Sequence, residues 1–292
     1  MSQGSRLTAS GLPCSIVTPI VLIGLILASP EPAMVAAARP VEVQAGSVLQ
    51  GPEKNEIISR AAQAYYSLKS DGLTEFHCQA EPDWDSMLKT MKPPPTDPDQ
   101  LTPLLKQLRF EVAVGPDGGA IVSHHSDAAP PSQQMAERLR RVTGGVDQVL
   151  TGFFQVWAPF PFGTFFPASG QPTQIEEAGE QYRLTQKQGD ADSAVVLTRD
   201  FEVTEISVIT PKLAATLHPH FTRSEKGYLL NAVYATYKVE ANQSNLTMKV
   251  EYQNVEGFTL PETLSASVVA QGLEVPIIVK FVAYKVTRRA GK

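Results

Sequence analysis

The sequence has none of the short motifs by which catalytic and metal sites are usually recognised. Its 292 residues include two cysteines and five histidines. It contains no Gly-x-Ser-x-Gly, phosphate-binding glycine loop, Cys-x-x-Cys or His-Glu-x-x-His. The sequence therefore predicts a protein that is not an enzyme and that uses no cofactor or metal. One alternative is a metal-dependent hydrolase, because His218-Pro-His220 would place two imidazoles on the same side of an extended segment.

The shortage of cysteine excludes a disulfide framework. Cys14 lies in an apolar leader, so removal of that leader would leave Cys78 without a partner. Cys78 shares a strand face with Phe76 and Ala80, which predicts a buried thiol that packs as a small hydrophobic group. A chain exported without disulfides must depend on its hydrophobic core, and the roughly 254 residues after residue 38 are enough for one large β domain.

Neither sign of charge is in large excess. The formal net charge is −5 at pH 7, which argues against nucleic acid as a partner. Long apolar runs are also missing. The longest, Ile16–Leu27, has 12 residues, fewer than the ~20 that a helix needs to span a bilayer.

That short apolar run is instead typical of a secretory signal over residues 1–38. Arg6 is the charge that precedes the run, and Ala36-Ala37-Ala38 offers a cleavage site of small residues. We therefore expect export to the periplasm or secretion after cleavage near Ala38. The alternative is an uncleaved signal that anchors the chain in the inner membrane. Residues 39–52 lack periodicity and predict a flexible leader.

Most of the remaining chain consists of alternating apolar and polar residues. In Leu246–Gln253, four apolar residues alternate with four polar ones, which places them on opposite faces of a sheet. Short turns separate such segments, as in an antiparallel meander. The predicted strands lie at 73–80, 110–114, 120–124, 173–178, 181–187, 193–199, 203–210, 228–240, 246–255, 263–270 and 275–287.

About eleven strands are too many for a flat sheet. We therefore predict an α+β fold with one domain over residues 53–288. Its strongly curved antiparallel sheet would form an incomplete β-barrel, with helices packed on the concave side.

Four helices are predicted from apolar periodicity and proline positions. The first begins at Glu53 and carries the stripe Ile57, Ala61, Tyr65 and Leu68. Two short helices lie at 82–91 and 101–108, on either side of a rigid proline-rich break at 93–98. The strongest runs from Ser132 to Phe153, with a kink expected at Gly144-Gly145. Its apolar stripe consists of Met135, Leu139, Val142, Val146, Val149 and Phe153.

The segment from Phe153 to Phe166 holds seven of the 22 aromatic residues within fourteen positions. We call residues 153–166 the aromatic segment. Pro159, Pro161 and Gly163 interrupt it, so we expect its rings to lie on a loop that forms few backbone hydrogen bonds. Such rings either cap the core of the sheet or line a hydrophobic ligand site. The candidate ligand-binding residues, which would form the moving edge of an apolar cavity, are Phe154, Trp157, Phe160, Phe162, Phe165 and Phe166.

The layout resembles that of the periplasmic lipoprotein-localisation carriers, their outer-membrane receptor and related lipoprotein-sorting-like proteins. The similarity covers about residues 55–290. It is carried by a helix that ends in Leu68–Phe76 and enters the first strand, and by the strand, glycine turn and Leu-Pro of Tyr252–Pro261. The resemblance implies an incomplete antiparallel barrel that holds acyl chains in its concavity without catalysis.

Two functional hypotheses remain beside the hydrolase. The protein is an exported, non-enzymatic binder or carrier of lipid or lipoprotein acyl chains, with transient membrane contact. Alternatively, it is a structural envelope protein, or one that binds an envelope protein partner, and its curved sheet is filled by its own side chains. An open apolar concavity would indicate the first, and a face packed solid by Met135, Leu139, Phe153 and Trp157 the second.

Overall fold

A single antiparallel sheet dominates the computed structural model, which describes residues 47–90, 98–126, 129–168, 172–240, 242–270 and 273–289. The predicted signal sequence, residues 39–46 of the predicted leader and nearly all of the proline-rich break lie outside these residues. The sheet has thirteen strands in the described chain. They are β1 (Ser47–Leu49), β2 (Leu73–Pro82), β3 (Leu108–Val114), β4 (Ala120–Ser126), β5 (Gln174–Ala178), β6 (Gln181–Gln188), β7 (Ala191–Thr198), β8 (Val203–Ile209), β9 (Leu213–Ser224), β10 (Gly227–Val239), β11 (Asn242–Val255), β12 (Phe258–Ala270) and β13 (Leu273–Arg288).

The strands β5 to β13 follow one another in space as they do in sequence. The full order is β1-β5-β6-β7-β8-β9-β10-β11-β12-β13-β2-β3-β4, and β1 and β4 are the two free edges. The sheet is therefore open, which confirms the α+β class and the curved, unclosed antiparallel sheet.

The polar–apolar alternation determines which face each residue takes. On β11, Leu246, Met248 and Val250 are buried, whereas Lys249 and Glu251 are exposed. A register shift between Glu251 and Tyr252 marks a bulge against β12. Cys78 is a buried free thiol, as predicted, and burial raises its pKa to about 12.

All eleven predicted strands are present, but the predicted number was too low by two. Ser47–Leu49 pairs with β5 as β1, although residues 39–52 were predicted to be a flexible leader. The other missed strand is β9, in which Pro219 argued against a strand. Pro219 lies beyond Leu217, the last β9 residue that pairs with β8, so its missing N–H removes no ladder bond on that side.

Four helices accompany the sheet in the described residues: α1 (Gly51–Gln63), α2 (Trp84–Thr90), α3 (Pro98–Leu105) and α4 (Gln133–Trp157). Ser132 caps α4, because its side chain accepts a hydrogen bond from the backbone N–H of Met135 at 3.2 Å. None of the helices in the described part of the chain is both long and apolar enough to cross a membrane.

The contacts of the aromatic segment require the sheet to curve. Trp157 meets Phe76 on β2 at 6.2 Å between ring centroids, and Phe160 meets Phe221 on β9 at 5.1 Å. Five strand spacings separate β9 from β2, a distance of about 24 Å on a flat sheet. Two side chains only three residues apart in the chain reach both strands because the sheet bends around them.

Candidate functional site

The aromatic segment begins inside α4 rather than on a loop. Phe153, Phe154 and Trp157 belong to the last turns of the helix, which ends four residues later than predicted. The Ala158 N–H still donates to the Phe154 carbonyl at 2.9 Å. Pro159 is the first proline of the segment and disfavours helix only at and after the residue before it. The prediction that the rings lie on a loop was therefore wrong for Phe154 and Trp157, whereas Phe153 was also predicted as the last residue of the helix.

The rest of the segment forms a chain of turns with its own backbone hydrogen bonds. The Phe162 N–H donates to the Ala158 carbonyl at 3.0 Å, and the Gly163 N–H to the Phe160 carbonyl at 3.1 Å. The Pro159 carbonyl accepts from the N–H of Thr164 at 2.9 Å and of Phe165 at 3.0 Å. The expectation that this loop would form few backbone hydrogen bonds was wrong. Proline lacks an N–H but keeps its carbonyl, and the carbonyls of Pro159 and Pro161 both accept hydrogen bonds here.

Rings from the end of α4 pack against β2 and β13. Phe154 lies 6.3 Å from Phe76 and 5.5 Å from Phe281 between ring centroids. Phe153 stacks on Phe281 at 5.9 Å, and Trp157 lies edge-on to Phe154 at 5.8 Å. Trp157 is 1 % exposed and Phe154 is fully buried. This cluster fixes the end of the helix against the sheet.

A second cluster of rings follows the helix and surrounds Tyr65. Phe160 and Phe166 lie 5.1 and 5.6 Å from Tyr65 between ring centroids, and Phe221 contacts both Tyr65 and Phe160 at 5.1 Å. Phe165 stacks on Phe160 at 4.2 Å. Phe160 and Phe165 are buried and Phe166 is half-buried. Phe221 was not predicted as part of the site, because it lies in the missed strand β9.

Phe162 packs against the β3–β4 hairpin rather than either ring cluster. A Cβ added to Gly118 would lie 3.2 Å from the Phe162 Cβ and 3.3 Å from the Ala158 carbonyl oxygen. Gly118 also has a φ of +81°, which favours glycine. The fold thus divides the six candidate rings among three places, against β2 and β13, around Tyr65 and β9, and at the β3–β4 turn, and five of the six are buried.

Apart from the helical bonds that join residues 153–157 to the preceding turn of α4, two hydrogen bonds connect the aromatic segment to other parts of the described chain. The Trp157 indole Nε1–H donates to the Tyr252 hydroxyl at 3.0 Å, and the Leu68 N–H donates to the Pro161 carbonyl at 2.9 Å. Tyr252 in turn donates to the Leu230 carbonyl, and burial raises its pKa. Beyond the end of α4, the segment is therefore hydrogen-bonded mainly to itself, and its remaining contacts with the sheet are apolar.

Two tyrosines hold the chain between α1 and β2 on the sheet. The Tyr65 hydroxyl donates to the Phe201 carbonyl at 2.9 Å and accepts from the Val203 N–H at 2.8 Å. The Tyr66 hydroxyl accepts from the Thr259 N–H at 3.0 Å. Burial is the main reason that the pKa of each hydroxyl is raised. The two Tyr65 bonds fix the ring around which the second cluster packs, whereas Tyr66 bonds to β12. Tyr65 and Leu68 were predicted on the stripe of the first helix, but α1 ends at Gln63, before both of them.

Some buried polar atoms have no hydrogen-bond partner in the described chain. They include the Tyr237 hydroxyl, the Gln155 side-chain carbonyl and the Thr164 hydroxyl. Tyr237 is 1 % exposed on β10, and burial raises its pKa. A buried polar group left unpaired costs about 1–3 kcal/mol, so each is a point at which a polar ligand atom would be stabilising.

The histidine pair lies apart from the rings. His218 and His220 lie on the exposed face of β9, on the same side of an extended segment. His218 Nδ1 is 3.4 Å from the Thr204 carbonyl, and His220 stands edge-on to Tyr234 at 5.2 Å. No group of three or more potential metal ligands occurs in the residues the structure describes.

An open cavity of about 610 Å³ lies on another part of the sheet, lined by residues of α1, of β5 to β8 and of the turn before β5. None of the six candidate rings lines it. The apolar face beneath the aromatic segment is occupied instead by the rings.

Comparisons of the chain with protein-family models, with curated proteins and with solved structures find no match.

Proposed function

We propose that the protein is an exported, non-enzymatic carrier of lipid or lipoprotein acyl chains, and that the aromatic segment closes its apolar concave face when no ligand is bound. The observation that carries the proposal is the hydrogen bonding of this segment. Its turns satisfy much of their backbone internally, and beyond the helical bonds that continue α4 the segment is joined to the rest of the described chain by two hydrogen bonds. The segment can therefore move as a unit with the end of α4, and an acyl chain can replace its apolar contacts.

The energies of this exchange are close to balance. Burying a methylene group is worth about 0.8 kcal/mol, so a chain of about 16 carbons contributes about 12 kcal/mol. Moving five buried rings off the sheet costs about 1.5–3 kcal/mol each, or about 8–15 kcal/mol together, before the rings pack on the ligand. A near-balanced exchange suits a carrier, which must release its ligand as well as bind it.

Tyr237 provides a polar anchor in the same proposal. Its buried, unpartnered hydroxyl projects from the inward face of β10, between Ala215 of β9 and Ser244 of β11. The carbonyl oxygen of an ester or amide in the ligand would accept its proton, whereas an alkane alone would leave it unpaired.

The resemblance to lipoprotein-localisation carriers supports the finer architecture of the proposal, in which α4 and the other helices lie on the concave side of a half-barrel. In this account the chain acts in the periplasm or is secreted after cleavage near Ala38, meets membranes transiently and binds no nucleic acid. An envelope protein would deliver or accept the ligand. An uncleaved signal would instead tether the same domain to the inner membrane. Amino-terminal sequencing distinguishes the exported form from the anchored form, since a start near Arg39 indicates export and retention of Met1 indicates the anchor.

The burial of the rings favours a second candidate function. Phe154, Trp157, Phe160, Phe162 and Phe165 are all buried, and Phe153 fills the space beside them. If this packing is permanent, the protein is a structural or partner-binding envelope protein with a self-filled core.

Tyr252→Phe separates the two functions because it loosens the segment without removing any of its rings. The variant loses the acceptor for Trp157 and the donor to Leu230. A weaker closed state binds oleate about fivefold more tightly, since one hydrogen bond is worth about 1 kcal/mol. Tyr66→Phe is the matched control, because it removes a hydrogen bond to β12 that the segment does not make.

The measurement is native mass spectrometry of each protein with and without oleate. Under the carrier proposal, the wild type retains one ligand, Tyr252→Phe retains more at low oleate, and Tyr66→Phe equals the wild type. If none of the three binds oleate and both variants merely unfold more easily, the core is self-filled and the second function stands.

A further inference from the structure

The cavity of about 610 Å³ is a second candidate ligand site, independent of the carrier function. Arg183, Thr185 and Lys187 of β6 line it, and they alternate with the buried Leu184. They therefore project from the opposite face of the sheet to the core. Lys54 of α1 closes one side. The volume falls within the ~300–1,000 Å³ typical of small-molecule sites.

The charge of this cavity is opposite to that of the whole protein. Lys54, Arg183 and Lys187 line it with one carboxylate, Asp192, in a chain whose net charge is −5. Lys187 and Asp192 are 3.8 Å apart and both well exposed, so their attraction is weak. The cavity has an excess of two positive charges over negative ones among its lining side chains.

Two of the three cations have no carboxylate partner among the residues the structure describes. They are Lys54 and Arg183, neither of which forms an ion pair there. Glu176 of β5 lies opposite Arg183 in the strand register, but its Oε1 accepts a hydrogen bond from Gln174 Nε2 at 3.0 Å. An anion bound in the cavity would supply the negative charge that pairs with Lys54 and Arg183.

The remaining lining side chains suit a ligand that carries hydroxyl groups. Thr185 of β6 and Ser207 of β8 lie on either side of Ala194 of β7 in the strand register. Ile209 forms an exposed apolar wall beside Asp192. Hydroxyl side chains and a carboxylate hydrogen-bond to a polyol, while guanidinium and ammonium groups pair with phosphate.

We propose that the cavity between α1 and the outer face of β5–β8 binds a small phosphorylated polyol through Arg183 and Lys54. Two sources share this chemistry, a soluble sugar phosphate and the glycerophosphate headgroup of an anionic lipid. The site lies on the face away from the aromatic segment, so its occupancy does not require that segment to move.

Isothermal titration calorimetry of the full chain with glucose 6-phosphate, glucose and inorganic phosphate tests the proposal. Glucose 6-phosphate should bind with a Kd below about 1 mM, more tightly than inorganic phosphate, and glucose should not bind. Arg183→Gln with Lys54→Gln should weaken binding by at least about tenfold, because it removes two charge-assisted contacts. Lys280→Gln on β13 is the charge-matched control and should change the Kd by less than about twofold.

Sedimentation with phosphatidylglycerol or phosphatidylcholine vesicles distinguishes the two sources. Selective binding to phosphatidylglycerol that is lost in the Arg183→Gln, Lys54→Gln variant assigns the cavity to a lipid headgroup, and binding of glucose 6-phosphate alone assigns it to a soluble ligand. The proposal is overturned if neither probe binds up to about 10 mM, or if Lys280→Gln weakens binding as much as the double variant. Thermal unfolding by circular dichroism checks that each variant is folded.

Discussion

The two halves of α4 have nearly the same length and very different surroundings. In residues 133–145, polar side chains such as Glu137, Arg140 and Arg141 face solvent, and the apolar stripe lies along one side. In residues 146–157, no side chain is exposed. The first half is an ordinary amphipathic helix docked on the sheet, whereas the second is enclosed like a core element. The enclosed half leads directly into the turns that carry Phe160, Phe162 and Phe165.

The difference indicates where the fold depends on α4. The first half contributes a stripe whose members Leu139 and Val142 are only partly buried. The second half supplies the rings that fill the apolar face of the sheet. In the proposed carrier, the ligand displaces the second half of α4 and the aromatic segment from the apolar face of the sheet. The first half of α4 stays docked on the sheet and acts as the hinge.

Replacing rings in the enclosed region should have the largest effect on stability. Phe162→Ser with Phe165→Ser should lower the free energy of unfolding by about 3–5 kcal/mol per ring, because both are buried. Leu139→Ser in the first half is the comparison and should cost less than half of that. Chemical denaturation monitored by circular dichroism measures both. Equal losses per residue would mean that the enclosed turns after α4 contribute no more to stability than its exposed first half.

The same double variant tests the expectation that the rings bind ligand. If oleate uptake per folded molecule falls further than stability does, the rings contact the ligand. If the serines only unfold the protein, and oleate leaves Trp157 unperturbed in the wild type, the segment is ordinary core and the carrier proposal loses its main support.

A smaller effect is expected where the turns after α4 meet the β3–β4 hairpin. Gly118→Ala should lower the free energy of unfolding by about 1–3 kcal/mol. The reason is that the residue has a positive φ and that a Cβ there would lie too close to Phe162 and the Ala158 carbonyl. Gly115→Ala lies in the same turn, where a Cβ meets its nearest neighbour at 3.5 Å, and should change stability by less than about 0.5 kcal/mol. Thermal unfolding of the pair provides the measurement. A Gly118→Ala variant as stable as the wild type would mean that the turns are not tightly packed on the hairpin.

The smallest effect concerns Asp147, at the boundary between the two halves. Its Oδ2 lies 2.8 Å from His124 Nδ1 on β4, while desolvation raises the pKa of the carboxyl more than His124 lowers it. Because the pKa of Asp147 is raised in the folded protein, protonation of this carboxyl stabilises the fold. That stabilisation is fully present below the ordinary pKa of aspartate and is lost as pH rises through the raised pKa. Asp147→Asn should remove that part of the pH dependence and change stability near pH 7 by less than about 1 kcal/mol. Unfolding free energies measured at intervals between pH 3 and 8 would contradict this if the variant kept the slope of the wild type.

The strands were predictable where burial on one face repeats every two residues, as in Leu246–Gln253. That pattern is local, so it reports the strand directly. β9 was missed because Pro219 between two histidines is typical of a turn, and only the strand pairing shows that the ladder with β8 ends at Leu217, before the proline. β1 was missed because three residues are too few to show the two-residue alternation of a strand.

The candidate site was predictable in composition but not in geometry. The concentration of rings and prolines marked residues 153–166, yet it did not reveal that the helix continues to Trp157. Partners such as Tyr65, Phe221 and Tyr252 lie about 60 to 100 positions away in sequence, and no periodicity connects them to Phe160 or Trp157. The cavity around Arg183 is built from α1 and four neighbouring strands, so only the sheet order brings it together.

The most direct test of the central claim is the fluorescence of Trp157 in a Trp84→Phe background, which leaves it as the one tryptophan in the chain. Without ligand, Trp157 is buried and hydrogen-bonded to Tyr252, so acrylamide should quench it poorly. On titration with oleate, the account predicts a saturable shift in emission and a rise in quenching as the indole leaves the sheet. Emission and quenching that stay unchanged at saturating oleate would contradict it.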